Sequence, residues 1–179
     1  LNELQLEKLV PPLRTYLDSP MAVRVTDVFK HHPEMFDEEM TDHMNNHESP
    51  FDFQGLKMVR TTKESRAINK AKDTVMNIAG AGSCTGGRIK HHLVNHISRP
   101  ESILLFVGYQ AVGTLGRQIV EGAEEVRILG QTYKVKARIV QALGFSGHAD
   151  KNELLDWLSG LKKPPKHVFV VHGETNAAH

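Results

Sequence analysis

Apolar residues along this chain fall into short blocks separated by glycine, proline and polar turns, and the spacing within each block predicts its element. Leu4, Leu6 and Leu9 give a helix over 2–9, and Pro11-Pro12 ends it, because the residue before a proline avoids the helical region. Residues 14–17 read as a short strand. Asp18 or Ser19 can cap the next helix, Pro20 suits its first turn, and apolar residues follow at 21, 25, 28 and 29. Pro33 opens a second, acid-rich helix that fades near Asn45-Asn46, and 47–55 is polar and turn-prone. Met58-Val59 lies in a short strand and 63–68 is a helical turn. The apolar run 74–79 predicts a buried strand that enters a glycine loop at 80–87, with a helix continuing through 88–96. Residues 102–107 form another central strand, ended by Gly108, and a helix spans 114–120. Strands follow at 125–129 and 133–140, the second alternating apolar and basic residues as a half-exposed strand does. Leu154, Leu155, Trp157 and Leu158 make the apolar face of a helix closed by Gly160. Pro164-Pro165 then leads into 167–171, which reads as a buried strand.

Strand–helix alternation of this kind predicts an α/β fold: a mostly parallel sheet with helices on both faces. Ligands of such sheets collect beyond the carboxyl ends of the strands. Asp18-Ser19, the glycine loop, Gly108-Tyr109-Gln110, His148 and His172 all lie at such ends. Five polar or glycine-rich sites on one rim point to function there. The chain contains no internal repeat and no low-complexity segment.

Composition changes this picture little. The chain has 179 residues, 40% hydrophobic and 24% charged, as an ordinary globular protein does. No apolar run approaches the roughly 20 residues that cross a bilayer, and no secretory leader is visible. Cys84 is the single cysteine, which favours a reducing compartment and predicts a cytoplasmic protein. The net charge of +1 is too small to mark a polyanion binder, so local charge matters more. Eleven histidines invite a metal reading. Most of them, at His31-His32, His43, His47, His91-His92 and His96, fall on segments that look like helical surfaces. A start at Leu1 instead of Met, and an end soon after a strand, predict a piece of a longer protein.

Chemistry concentrates in a few motifs. A strand that ends in glycines before a helix exposes backbone N–H groups at the positive helix terminus. Ser83 and Thr85 add hydroxyls, and Arg88 in the first turn can reach a phosphate bidentately. The loop fits neither G-x-x-x-x-G-K-[ST] nor G-x-G-x-x-G. It is a phosphate cradle or a tight turn without a ligand. Gly113-Thr114-Leu115-Gly116-Arg117, with Tyr109 and Gln110, either contacts a backbone or base or is a helix start capped by Thr114. His148 sits among small neighbours, Ser146, Gly147 and Ala149, that let a loop approach a substrate. It reads as a ligand, a general acid or a buried structural histidine. Asp150 is foremost an N-cap. His172 ends a strand, where the backbone can aim it at a metal. Cys84 reads as a packed small side chain with no base placed for it. Lys134, Lys136 and Arg138 would share one face of a strand, as a nucleic-acid track or a solvated face.

Taken in order, these segments resemble a known family. Tyr16-Leu17-Asp18-Ser19-Pro20-Met21-Ala22 is followed by Gly82-Ser83-Cys84-Thr85-Gly86-Gly87-Arg88-Ile89. Leu105-Phe106-Val107-Gly108-Tyr109-Gln110 with Gly113-Thr114-Leu115-Gly116, then Phe145-Ser146-Gly147-His148-Ala149-Asp150, then Val171-His172-Gly173-Glu174 complete the series. The whole is similar to the β-CASP branch of the metallo-β-lactamase superfamily, in its bacterial and archaeal RNA-processing form. The resemblance implies two parts: a metallo-β-lactamase domain holding two zinc ions, and an inserted β-CASP domain that closes over it with RNA in the cleft. Residues 1–140 would be the β-CASP domain, and 141–179 the partial return into the metallo-β-lactamase domain.

On this resemblance, His148 is the motif B histidine, which contacts the scissile phosphate as general acid, and His172 the motif C histidine, a ligand of one zinc. Ser83, Thr85, Gly86, Gly87 and Arg88, with Ser19, Tyr109 and Gln110, would bind phosphate or RNA. The family's H-x-H-x-D-H motif, a further histidine, the bridging aspartate and the acidic motif A residue do not occur in this sequence, and they precede this region in the family's order. One histidine is not a zinc site. The expectation is therefore a fragment that binds no zinc and cleaves nothing alone, within a parent zinc-dependent ribonuclease. There the zinc ions would generate a hydroxide and His148 would supply a proton to the leaving oxygen. The partner is RNA, not a membrane, with a homodimer left open. Two rival readings stand beside it: a stand-alone module that binds RNA or another phosphorylated ligand without catalysis, and a nucleotide-using α/β enzyme, which the failed nucleotide motifs disfavour.

Overall fold

Short side chains at loop ends set most of the helix starts. The computed structural model describes residues 1–145 and 148–171. Helix α1 spans Asn2–Leu6 and strand β1 Arg14–Leu17. Ser19 accepts the Ala22 N–H at 3.3 Å and so caps α2, Pro20–His31, whose first residue is the expected proline. Asp37 caps α3, Glu38–Asn45. Strand β2 is Leu56–Met58. A reciprocal pair, Thr61 with Glu64, starts α4, Thr62–Ile68. Strand β3, Val75–Ile78, leads into the glycine loop and then α5, Ile89–His96. Strand β4, Ile103–Phe106, is followed by α6, Leu115–Val120, capped by Thr114 as the simpler of its two readings expects. Strands β5, Glu125–Ile128, and β6, Gln131–Lys134, make a hairpin. Its two-residue turn, Leu129-Gly130, has positive φ at both positions, which matches the twist of a hairpin. Strand β7 is Arg138–Gln141, and α7, Lys151–Ser159, begins at Asp150, the predicted cap.

The chain is a mixed α/β fold with parallel sheets. Strands β2-β1-β3 form one parallel sheet and β4-β7 a parallel pair, while β5-β6 pair antiparallel. The main core gathers Cys84, Leu93, Ile97, Phe106, Ile119, Val126 and Ile128 between α5, α6, β4 and β5. Cys84 is 2% exposed and burial pushes its thiol up to about 11, so it packs as a small apolar group.

Several expectations are corrected. The predicted strand 133–140 is broken. Its alternation persists, but Val135 donates to Glu124 and Lys136 and Ala137 both donate to the Ile97 carbonyl, so the chain passes from one sheet to another. Lys134, Lys136 and Arg138 are exposed but share no single strand face. Residues 167–171 are not a strand. Val168, Phe169, Val170 and Val171 are exposed, because among the described residues no strand supplies the ladder an extended segment needs. Pro33 opens only a 3₁₀ turn, Pro33–Met35, and the acidic helix starts later, at the better cap. Helix α2 buries Val23, whereas Met21, Val25 and Val28 are exposed and Phe29, half exposed, stacks on Phe51.

Candidate functional site

Parallel pairing puts the carboxyl ends of β2, β1 and β3 on one edge, and Asp18 stands at its centre. Its carboxylate is fully buried, at 0% exposure. Oδ2 accepts from the Ser65 hydroxyl at 2.6 Å and meets His92 Nε2 at 2.7 Å, while Oδ1 accepts from Arg88 Nη1. Burial alone would raise the Asp18 carboxyl. The bonds from Ser65, His92 and Arg88 outweigh it and hold the group below the usual carboxylate range. Arg88 also donates to the Val59 carbonyl at 3.1 Å and the Arg60 carbonyl at 3.3 Å. Beyond His92, Asn69 Oδ1 lies 2.8 Å from His92 Nδ1 and 3.0 Å from His96 Nε2. One carboxylate thus ties the end of β1 to α4 and α5, and Arg88 carries the link to the segment after β2.

The glycine loop lies beside this hub. It is closed by bonds from Cys84 to the Ala81 carbonyl and from Ile89 to the Gly80 carbonyl. Cys84 anchors its middle in the core. Gly87 has φ +73°, and a β-carbon there would stand 2.7 Å from the Gly80 oxygen. Only glycine fits that crossing without a shift. Ser19 sits against Gly80 from the α2 side. Among the described residues no acceptor meets the backbone N–H of Ser83, Thr85, Gly86 or Gly87. Unpaired N–H groups next to hydroxyls and a helix start are donors of the kind that take up an anion.

Other predicted residues reach this region from the second parallel pair. The Gly116 N–H donates to the Ser83 carbonyl at 3.0 Å, which joins the start of α6 to the glycine loop. Gln110 is 4% exposed and packs on Gly116, where any side chain would collide with its amide oxygen. Tyr109 beside it is exposed. Phe106 faces Gln141 in register, and Ala142 donates back to the Phe106 carbonyl at 2.9 Å. The segments leading to Gln110 and to His148 therefore leave the same strand edge. His148 is exposed. His172 lies outside the described residues. Among the described residues no three His, Cys, Asp or Glu side chains converge as a metal group, so these residues by themselves do not fit a zinc centre.

Nothing local in the sequence singles out Ser65 or Asn69, and His92, expected on a helical surface, is buried instead. A signal was present for the histidine: Arg88, His92 and His96 recur every four residues, which stacks them on one face of α5.

A Beta-Casp domain description matches residues 1–119, and that of a Zn-dependent metallo-hydrolase RNA specificity domain matches residues 132–179. The chain belongs to the β-CASP family. Ribonuclease TTHA0252 of Thermus thermophilus is 42% identical to this β-CASP chain over 92% of the chain and 37% of that protein. Transcription termination factor FttA of Methanocaldococcus jannaschii is 32% identical over 89% of the chain and 26% of its own length. FttA of Methanococcus maripaludis is 30% identical over 90% and 26%. The β-CASP chain thus spans well under half the length of the relatives it matches.

Proposed function

We propose that this chain is the RNA-gripping part of a zinc-dependent ribonuclease of the metallo-β-lactamase superfamily, which hydrolyses RNA phosphodiester bonds. The observation that carries this reading is the glycine loop: unpaired backbone N–H groups beside the carboxyl ends of parallel strands, in a β-CASP chain similar over nearly its whole length to a ribonuclease. A phosphodiester carries one negative charge per link and offers acceptor oxygens to such groups. Ser83, Thr85, Gly86 and Gly87 hold the backbone of RNA, Ser19 and Gln110 shape the cradle, and exposed Tyr109 offers a face for a base. His148 donates a proton to the leaving oxygen, and its exposure beyond β7 supports access to a substrate.

His172 as a ligand of one of two zinc ions belongs to the same proposal. So does the division into a β-CASP unit over 1–140 and a return into the metallo-β-lactamase domain over 141–179. A homodimer and a cytoplasmic setting complete the reading. The outward apolar stripe of α2 supports the first, and the single, buried cysteine the second. No described helix is long and apolar enough to cross a membrane.

The test is His148→Ala in the complete protein. Hydrolysis of single-stranded RNA should fall by about 10²–10⁴-fold, the worth of a general acid, while zinc content and RNA affinity are retained. Undiminished hydrolysis removes the proton-donor role. A complete protein that binds RNA in a salt-dependent way and never cleaves it is a binding module instead.

A further inference from the structure

Arg88 is the residue that joins the glycine loop to α5, and its guanidinium is drawn toward the strand ends. It spans the carboxylate of Asp18 at the end of β1 and the carbonyls of Val59 and Arg60 after β2. One turn later His92 meets the other oxygen of the same carboxylate. The first turn of α5 is therefore held at two points by one buried group. The exit of the loop is thus set by that turn and by the Gly87–Gly80 crossing. Replacing a buried ion pair by apolar side chains is often neutral or stabilising, so stability alone is a weak reason for this one. A geometric reason is at hand. The pair fixes the exit of the loop against the strand edge, while Ser19, the neighbour of Asp18, fixes its entry against Gly80.

We propose that Asp18 is the positioning residue of the phosphate grip, acting through Arg88 and His92, and that Arg88 supports RNA binding through Asp18 and not as a ligand of phosphate. This rests on the glycine loop being the RNA grip. It differs from the expectation that Arg88 clamps a phosphate directly.

Counterion release separates the two roles. A side chain that neutralises a phosphate sets part of the salt dependence, and its loss lowers the slope of log K against log salt by about 0.7 for a single strand. A positioning residue weakens binding and leaves the slope alone. The experiment measures binding of a single-stranded phosphorothioate RNA to the complete protein across a salt series. The variants are Arg88→Gln, Arg88→Lys, Asp18→Asn and the double variant Asp18→Asn with Arg88→Gln, each verified as folded by its melting curve at the assay temperature. The expected result is a loss of about tenfold in each single variant, the order of a hydrogen bond to a charged group, at unchanged slope. The double variant should be no worse than either single one. With cleavable RNA, KM rises and kcat at saturation stays near wild type, whereas a purely structural defect would lower kcat with the amount of active protein.

Arg88→Lys keeps the charge but cannot span Asp18 and two carbonyls, so wild-type binding by it overturns the proposal. So does a slope lowered by about 0.7 in Arg88→Gln, or losses that multiply in the double variant. If Asp18→Asn fails to fold, the two Arg88 variants decide alone. A wild-type protein with no salt-dependent RNA binding overturns the RNA reading itself, which a normal slope with a wild-type-like Lys variant would not.

Discussion

Gly87 shows how tightly a single position can be specified. Its φ of +73° is one that a side chain resists, and a β-carbon would meet the Gly80 oxygen at 2.7 Å and the Ala81 nitrogen at 3.2 Å. Both neighbours are backbone, so neither can swing away. Gly87→Ala should therefore destabilise the protein by about 1–3 kcal/mol, as forced residues in sparsely populated conformations do. Urea unfolding of the complete protein measures it, and an unchanged midpoint would show that the loop relaxes freely. The sequence makes this glycine visible but not its reason. Consecutive glycines after a strand announce a turn, whereas the crossing of Gly87 over Gly80 depends on where the loop closes. Asp18 is the sharper case. It reads locally as one of two cap candidates, yet the cap is Ser19, and Asp18 is turned inward to three donors drawn from residues far along the chain.

At the scale of elements, caps were legible because they are local: Ser19, Thr114 and Asp150 each lie within three residues of the N–H they accept. Non-local partners were not. The alternation through 133–140 has one period, but the Ile97 carbonyl captures Lys136 and Ala137 and splits the run between two sheets. Likewise α5 looked like a surface helix rich in histidine, and it buries His92 because a carboxylate waits at the end of β1. The stripe of α5 has a pH consequence. Partial burial, then the charges of Arg99 and His92, hold the His96 imidazole below its ordinary value of 6.5. A depressed folded value means that the contribution of His96 is complete above the unfolded value and is lost as pH falls through the folded one. Asp18 behaves alike at lower pH: its contribution is present above the usual carboxylate value of 3.8 and is lost below it. Acidification should thus lower the melting temperature in two stages, the first beginning below about pH 6.5. His96→Gln should abolish the first stage and leave the second. A first stage that survives this substitution would assign it to another group.

For the molecule as a whole, apolar surface is distributed unevenly. The core around Cys84 and Ile97 is closed, whereas α7 exposes Leu154, Leu155 and Trp157, the last at 71%. Phe145 and the run 168–171 are exposed as well, Phe169 at 84%. Periodicity predicted burial for these segments and the structure leaves them exposed, because periodicity carries no information on which surface does the burying. Exposed apolar side chains in such number mark segments that meet another surface. In the two-part reading, residues 141–179 belong to a domain whose other strands and helices lie elsewhere in the complete protein, and those elements cover α7. Trp157 is the only tryptophan of this chain and reports on that face directly. In the isolated chain its emission should be red-shifted and readily quenched by acrylamide. In the complete protein the Trp157 component, obtained by subtracting the spectrum of Trp157→Phe, should be blue-shifted and shielded. An indole quenched equally in both would leave α7 uncovered in the complete protein. The 141–179 segment could not then be a strand-and-helix return into a second domain, whatever the glycine loop binds.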